Sequence, residues 1–129
     1  IKSIDNTDSQ NIVSLKPQQI SSNTITAALK YINNNYNQEI NLDAVAAFVH
    51  LNSQYLSRYF KQKVGMTFTQ YIKNLRIENA KKLLASSDKS ITQISLEVGY
   101  FDAAYFSKVF SRQEKQSPYK FRTSHKKNI

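Results

Sequence analysis

The sequence predicts an all-α protein, and three observations support this fold class. The chain has 129 residues but only two Gly and two Pro, the residues that most often interrupt helices. From Thr24 onward, apolar residues recur at steps of three or four, which is the spacing of an amphipathic helix. Residues that cap helices stand where most of the apolar stripes begin. We therefore expect about seven helices.

The first three helices are predicted from their apolar stripes and their end signals. One stripe runs over 25–36, and a second runs over 42–49 after a plausible N-cap at Asn41. A third helix begins after Asn52, whose side chain can cap it. It ends at Gly65, because glycine readily adopts the left-handed conformation of a helix C-terminus.

The remaining helices follow from the same signals. A long fourth helix is predicted over about 67–86, and the polar segment after it interrupts the pattern. Ser90 can cap a short fifth helix that ends at Gly99, and Asp102 can cap a sixth. Ser117–Pro118 is a cap followed by proline at the first helical position, which predicts a short seventh helix.

The N-terminal segment differs from the rest of the chain. Residues 1–22 are rich in Ser, Asn, Asp and Gln, contain Pro17 and lack helical periodicity. We interpret them as a linker or the tail of an upstream domain, in a fragment of a longer protein. Residues 23–129 are predicted to form one domain, made of a first unit at about 23–66, a linker helix at about 67–86 and a second unit at about 90–125.

Composition excludes several classes of function. The chain has no cysteine, so it has no disulfide framework, no thiolate nucleophile and no cysteine-bound metal. Gly65 and Gly99 stand alone, whereas a phosphate-binding loop needs several glycines close together. No apolar run approaches the about 18 to 20 residues that span a bilayer. We expect a soluble protein without a membrane partner.

The residues that most often carry out catalysis show no catalytic pattern. His50 and His125 are the only histidines, and they match no metal-binding spacing. His50 falls in a predicted turn, where we expect a partly buried or capping role. Glu78 and Asp88 form no pattern typical of paired catalytic carboxylates. We expect no enzymatic activity, no cofactor and no metal.

The charge balance indicates an anionic partner. The chain has 18 Lys and Arg against 9 Asp and Glu, a formal net charge of +9. The charges of residues 1–22 cancel, so the whole excess lies in 23–129. A surplus of this size is typical of proteins that bind nucleic acids, although it also improves solubility.

An internal repeat connects this charge with a function. Residues 40–71 align with 90–121 at a constant offset of 50 without a gap, and three positions are identical. Each copy reads as a short helix, a tight turn and a longer helix with a polar outer face. This is the plan of a helix-turn-helix unit, whose second helix enters the major groove of DNA. We therefore predict two helix-turn-helix subdomains joined by a long linker helix.

Residues near the start of each second helix are the candidates for DNA contact. Short or forked polar side chains suit base edges, since glutamine pairs with adenine, arginine with guanine, and alanine can contact a thymine methyl group. Lysine and arginine residues nearby suit phosphates. The candidates are Ser53, Gln54, Ser57, Arg58 and Lys61 in the first unit, and Ala103, Ala104, Ser107, Lys108, Lys120 and Arg122 in the second.

The two units are expected to contribute unequally. Ala103 and Ala104 lack directional donors, so the second unit should read sequence less strictly than the first. The alternative for both faces is that they are simply solvated. Lys73 and Arg76 on the linker helix could touch phosphate, but we favour a structural or solvated role for them.

The length of the linker helix predicts how one chain engages DNA. About 20 residues at about 1.5 Å each span about 30 Å, comparable with the about 34 to 36 Å between successive major-groove faces. One chain could therefore place both reading helices on one side of the duplex. This predicts a non-palindromic site covering two adjacent major-groove segments.

The segment from Leu42 to Arg122, about 80 of the 129 residues, contains a set of characteristic residues. They are Leu56-Ser57-Arg58-Tyr59-Phe60-Lys61 with Gly65, the spacing of Arg76, Ala80 and Leu83-Leu84, Ile94 with Val98-Gly99-Tyr100, Phe106-Ser107-Lys108-Val109-Phe110, and Ser117-Pro118 with Phe121-Arg122. With these residues the segment resembles the DNA-binding domain of the AraC/XylS family of bacterial transcription regulators.

The resemblance implies a monomeric domain of seven helices that acts in transcription, usually as an activator that contacts RNA polymerase. It also implies an upstream sensory, dimerisation or receiver domain, through which the full-length protein could dimerise, and a location in the bacterial cytoplasm at the nucleoid. The sequence departs from the family where glycine usually ends the second recognition helix, since Lys115 or Gln116 stands there.

Sequence-specific binding of double-stranded promoter DNA is thus the predicted function. The alternative is a non-enzymatic helical module that binds an acidic protein or an anionic membrane surface.

Overall fold

The computed structural model describes residues 22–126, and within them the chain is helical with no strand. The seven helices there are α1 (Ser22–Asn35), α2 (Leu42–Phe48), α3 (Ser53–Val64), α4 (Phe68–Ser86), α5 (Ile91–Glu97), α6 (Ala103–Glu114) and α7 (Pro118–His125). The all-α prediction and the helix count are confirmed. The predicted linker at 1–22 lies outside the described residues except for its last position.

The predicted caps are confirmed by their hydrogen bonds. At each capping residue, a side-chain oxygen accepts a hydrogen bond from a backbone N–H in the first turn of the helix that follows, at 2.7 to 3.1 Å. Ser90 and Gln93 form a reciprocal capping box. Each such cap contributes about 1 kcal/mol. The predicted caps are Asn41, Asn52, Ser90, Asp102 and Ser117, and Thr67 caps α4 in the same way.

The chain divides into two compact units. Within the described residues, the first unit holds 22–35 and 40–72, and the second holds 36–39 and 73–126. Helix α4 is shared, since its residues up to Ile72 belong to the first unit and those from Lys73 to the second.

The first unit has an apolar core with an aromatic cluster beside it. The Phe60 ring lies edge-on to Phe68 and Tyr71, with centroids 6.1 and 5.6 Å away. Such pairs add about 0.5 to 1.5 kcal/mol each beyond the area they bury. The buried residues of this unit are Ala28, Ile32, Val45, Ala46, Leu51, Leu56, Tyr59, Phe60 and Ile72.

The second unit is built around three phenylalanine rings. Phe106, Phe110 and Phe121 follow one another with centroids 5.8 and 5.6 Å apart, so α6 and α7 share one core. The other buried members of this core are Ile77, Ala80, Leu84, Ile94, Val98, Tyr100 and Val109.

Helix α4 departs from its predicted stripe. The apolar stripe predicted for this helix runs through Ile72, Leu75 and Ala80. Leu75 is half-buried, whereas Ile77, which is not part of that stripe, is fully buried. The reason is that α4 serves two cores, so its inward face in the second unit does not continue the stripe that ends at Ile72 in the first.

Candidate nucleic-acid interface

The first helix-turn-helix is formed by α2 and α3. The backbone N–H of Leu51 donates to the carbonyl oxygen of Ala46 at 2.8 Å, and Leu51 is buried. Before it, His50 has a φ of 62°. The sequence predicts a partly buried or capping role for His50; the residue is exposed, so the first of these alternatives is wrong. Its backbone conformation, rather than its imidazole, turns the chain towards α3.

The second helix-turn-helix, formed by α5 and α6, repeats this geometry with one extra residue. The backbone N–H of Tyr100 donates to the carbonyl oxygen of Ser95 at 2.8 Å, and Gly99 has a φ of 107°. Phe101 then precedes the cap Asp102, whereas in the first unit the cap Asn52 follows Leu51 directly.

The two units therefore do not align without a gap. The caps Asn41 and Ser90 are 49 positions apart, whereas the caps Asn52 and Asp102 are 50 apart. The predicted constant offset of 50 is right for α3 and α6 and wrong for α2 and α5. Phe101 is the additional residue.

The turn of the second unit depends on Gly99. A Cβ at this position would lie 2.7 Å from the Tyr36 carbonyl oxygen and 2.8 Å from Nε of Arg76. That guanidinium donates to the carbonyl oxygens of Tyr36 and Gln38 at 2.8 and 2.9 Å, and its Cζ lies 5.2 Å from the centre of the Tyr100 ring. The structural role predicted for Arg76 is confirmed, and glycine at position 99 leaves room for it.

Helix α3 presents the first set of predicted contacts. Gln54, Ser57, Arg58 and Lys61 are exposed. The Arg58 guanidinium has its Cζ 5.5 Å from the centre of the Tyr55 ring one turn before it, which favours a defined orientation.

Ser53, the first residue of α3, is half-buried, and its hydroxyl donates to the Asp43 carboxylate at 2.5 Å. The bond joins the start of α3 to α2 and orients the hydroxyl towards the protein. Base contact by Ser53 stays a prediction, beside a structural bond that the sequence did not reveal.

Helix α6 presents the second set of predicted contacts. Ala104 and Lys108 are exposed, while Ala103 and Ser107 are half-buried. The Asp102 carboxylate accepts the N–H groups of Ala104 and Tyr105. The first two residues of this helix therefore offer no side-chain donor, as the sequence predicts, but Tyr105 in the same turn is 57% exposed and carries a hydroxyl donor that sequence reasoning did not name.

The two residues predicted to touch phosphate from α7 behave differently. Lys120 is exposed. The Arg122 guanidinium donates to the carbonyl oxygens of Leu84 and Ser87, both at 3.1 Å, and so caps the C-terminus of α4. Arg122 thus has a structural role that the sequence did not predict, and its phosphate contact stays a prediction.

The second unit contains several ion pairs, and one of them involves Glu114, the last residue of α6. Lys81 pairs with Glu78 and Glu114 at 3.1 and 3.2 Å, and Lys89 pairs with Glu97 at 2.6 Å. A hydrogen bond from Lys126 lowers the pKa of Asp88. The described ion pairs thus use lysines outside α3 and α6.

Lys73 and Arg112 line one shallow cavity of the second unit. Tyr105, Val109 and Gln113 complete its wall, and no carboxylate is among the lining residues. Lys73 is exposed there, which is consistent with the solvated role favoured for it.

A family model described as a helix-turn-helix domain matches residues 45–124, more than half of the chain. The chain resembles the C-terminal domain of AraT, a response regulator from Geobacillus stearothermophilus, with a TM-score of 0.78 and 32% identity over 85% of this chain and 91% of that one. A Chromobacterium violaceum transcriptional regulator described with an AraC-type DNA-binding domain has a TM-score of 0.74 and 28% identity over 80% and 92%. The chain belongs to the AraC-type helix-turn-helix family.

A curated relative extends this AraC-type likeness. The chain is 36% identical over 117 residues to an uncharacterised helix-turn-helix regulator encoded in the cgkA 5′ region of Pseudoalteromonas carrageenovora, covering 89% of this chain and 69% of that protein. Across several curated relatives the chain spans 35% to 69% of their length. The AraC-type domain is thus a DNA-binding domain of transcription regulators, as the resemblance predicts.

Several features of this AraC-type domain could not be predicted from the sequence. Phe101 and the bonds of Ser53 and Arg122 depend on tertiary geometry, and only the unusual length of the second turn could have drawn attention to Phe101. None of the helices in the described part of this AraC-type domain is long and apolar enough to cross a membrane.

Proposed function

We propose that the chain binds double-stranded promoter DNA sequence-specifically, with the starts of α3 and α6 in adjacent segments of the major groove. The observation that supports this most directly is the repeated geometry. In this chain, α3 and α6 each begin at a side-chain cap after a turn with a positive φ, and residues in their first two turns are exposed.

The first unit is the stricter reader in this proposal. Gln54 and Arg58 carry the paired donors and acceptors that match adenine and guanine in the major groove, and both are exposed on α3. Lys61 and Lys120 contribute phosphate contacts, which strengthen binding without selecting a sequence.

At the level of the whole regulator, we propose a bacterial, cytoplasmic, nucleoid-associated activator that contacts RNA polymerase. This chain is its monomeric C-terminal domain, and residues 1–22 connect it to an upstream domain through which the full-length protein dimerises. The partial coverage of the curated relatives supports an additional domain. The activator role follows from the AraC/XylS resemblance, and a promoter fused to a reporter tests it.

Selection from a random duplex pool tests DNA binding. The full 129-residue chain is used to enrich sequences, and affinities for the enriched and a scrambled duplex are measured by fluorescence anisotropy at low salt. Preference for the enriched duplex supports the proposal. Failure to bind any duplex at low salt overturns it and favours a protein or membrane partner.

Arg58→Ala tests base reading within this experiment. If Arg58 pairs with guanine, we expect a loss of about 1 to 3 kcal/mol on the selected duplex and a relaxed preference at one position. Lys120→Ala is the matched control, which should weaken selected and scrambled duplexes alike. Equal effects of both substitutions on both duplexes would contradict the assignment of Arg58.

A further inference from the structure

The turn before the second reading helix carries an exposed aromatic residue that its counterpart lacks. Phe101 is 73% exposed, whereas Leu51, the last residue before the cap in the first unit, is 7% exposed. Tyr100 already fills the buried position that Leu51 occupies in the first turn. Phe101 is therefore surplus to the core.

Phe101 stands next to other apolar residues at the start of α6. After the cap Asp102 come Ala103 and Ala104, of which Ala104 is exposed. A single exposed apolar residue needs no explanation. Here the apolar residues lie on both sides of the cap Asp102, at the helix end that approaches bases in a helix-turn-helix.

Charge identifies the kind of surface that fits this end of α6. Lys108, Arg112 and Lys115 follow on the same helix and its C-cap, and all three are exposed. Asp102 is the exposed carboxylate at the start of the helix, and it accepts the N–H groups of Ala104 and Tyr105. Cations beside an apolar patch favour an anionic partner that itself presents apolar groups. The major groove does so, because phosphates flank it and each thymine projects a C5 methyl group into it.

We propose that the second unit reads thymine methyl groups, through an apolar patch formed by Phe101, Ala103 and Ala104. This inference rests on the proposed function. The patch stabilises the complex by removing methyl groups from water. Its side chains have no polar atoms, so they form no hydrogen bonds with the bases. The second unit therefore selects sites by thymine content, while the first unit selects by hydrogen bonds from Gln54 and Arg58.

Replacement of thymine by deoxyuracil tests the proposal without altering the protein. The substitution removes only the methyl group and keeps every hydrogen-bonding atom of the base. Each methyl group buried against the patch should contribute about threefold to fivefold in affinity. We expect that loss for deoxyuracil in the half-site of the second unit, and little change for deoxyuracil in the other half.

The half-sites are assigned by directed cleavage. Because the chain has no cysteine, Thr123→Cys on α7 provides one attachment point for an iron chelate, and its cleavage pattern marks the half bound by the second unit. Thr123 is exposed, so the label need not disturb the fold.

A protein variant completes the experiment. Phe101→Ser should weaken binding to the thymine duplex and reduce the difference between thymine and deoxyuracil. Tyr119→Ser removes an aromatic ring that is 71% exposed on α7 and should leave that difference unchanged. Circular dichroism checks that both variants are folded.

The outcomes separate the two proposals. Binding to the selected duplex with no deoxyuracil effect, or with equal effects in both halves, overturns thymine reading and leaves DNA binding intact. An unchanged difference in Phe101→Ser removes Phe101 from the patch. Absence of binding to every duplex overturns the proposed function itself.

Discussion

His50 and Gly99 adopt the same left-handed backbone conformation with very different side chains. Their φ values are 62° and 107°, and each directly precedes the buried residue that anchors its turn. A left-handed conformation costs a non-glycine residue about 1 to 2 kcal/mol. His50 is exposed and tolerates this strain, whereas Gly99 lies against Arg76 and Tyr36 and has no room for a Cβ.

Gly99→Ala should destabilise the domain more than Gly65→Ala. Gly65 also has a positive φ, but a Cβ added there would have no other atom within 4 Å, so alanine introduces only conformational strain of about 1 to 2 kcal/mol. At position 99 the same strain is joined by a clash with a backbone oxygen. Urea unfolding followed by circular dichroism measures both losses, and equal losses would contradict the crowding described around Arg76.

The end of the second recognition helix at Lys115 could be predicted only in part. The missing glycine after the second recognition helix indicates a differently built end, and the structure has Lys115 there with a φ of 64° and its N–H bonded to Ser111 at 2.9 Å. The sequence identifies Lys115 or Gln116 as the ending residue. It could not choose between them, because either side chain is tolerated in solvent.

Helix α4 ends at a cluster of cationic side chains that bind its last carbonyl groups. Arg122 donates to Leu84 and Ser87, and Lys126 donates to Ser87 at 2.6 Å. Positive charge at a helix C-terminus also interacts favourably with the helix dipole. These contacts hold α7 against the end of α4 within the second unit.

Arg122→Met should therefore lower the free energy of unfolding by about 1 to 2 kcal/mol, because two carbonyl groups lose a charged donor in a half-exposed site. Arg112→Met, which changes an exposed arginine on α6, should alter stability by less than about 0.5 kcal/mol. Thermal or urea unfolding compares the two. Equal stability of both variants would show that the cap contributes nothing.

Most helices could be predicted because their signals are local. Caps such as Asn52 and Ser90 act on N–H groups two or three residues away, so sequence spacing is sufficient. The extra residue in the second turn could not be found in this way. The three identities of the repeat, at Tyr55, Ser57 and Phe60 and their partners, all lie in α3 and α6, where the offset is indeed 50.

Long-range partners were also beyond the sequence. A cation such as Arg122 looks the same whether it meets a phosphate or a helix C-terminus, and only the fold brings Leu84 within its reach. The buried side of α4 is a similar case, because Ile77 is buried in the core of the second unit whereas Leu75 is only half-buried.

The net charge of +9 acts at the scale of the complete chain. If about six phosphates are neutralised, affinity for duplex DNA should fall by about 10³ between 50 and 200 mM salt. Binding titrations over this range give the slope of log affinity against log salt. A slope near zero would contradict phosphate contact, and Lys120→Ala should reduce the slope by about one.

Phe101, the additional residue in the second turn, also has a consequence for the evolution of the domain. Because Phe101 contributes little to either core, substitutions there should shift stability by no more than about 0.5 kcal/mol. Mutation can therefore sample many side chains at this position without unfolding the protein. If Phe101 contacts thymine as we propose, single substitutions at this position would change the preferred promoter sequence and leave the rest of the fold unaltered.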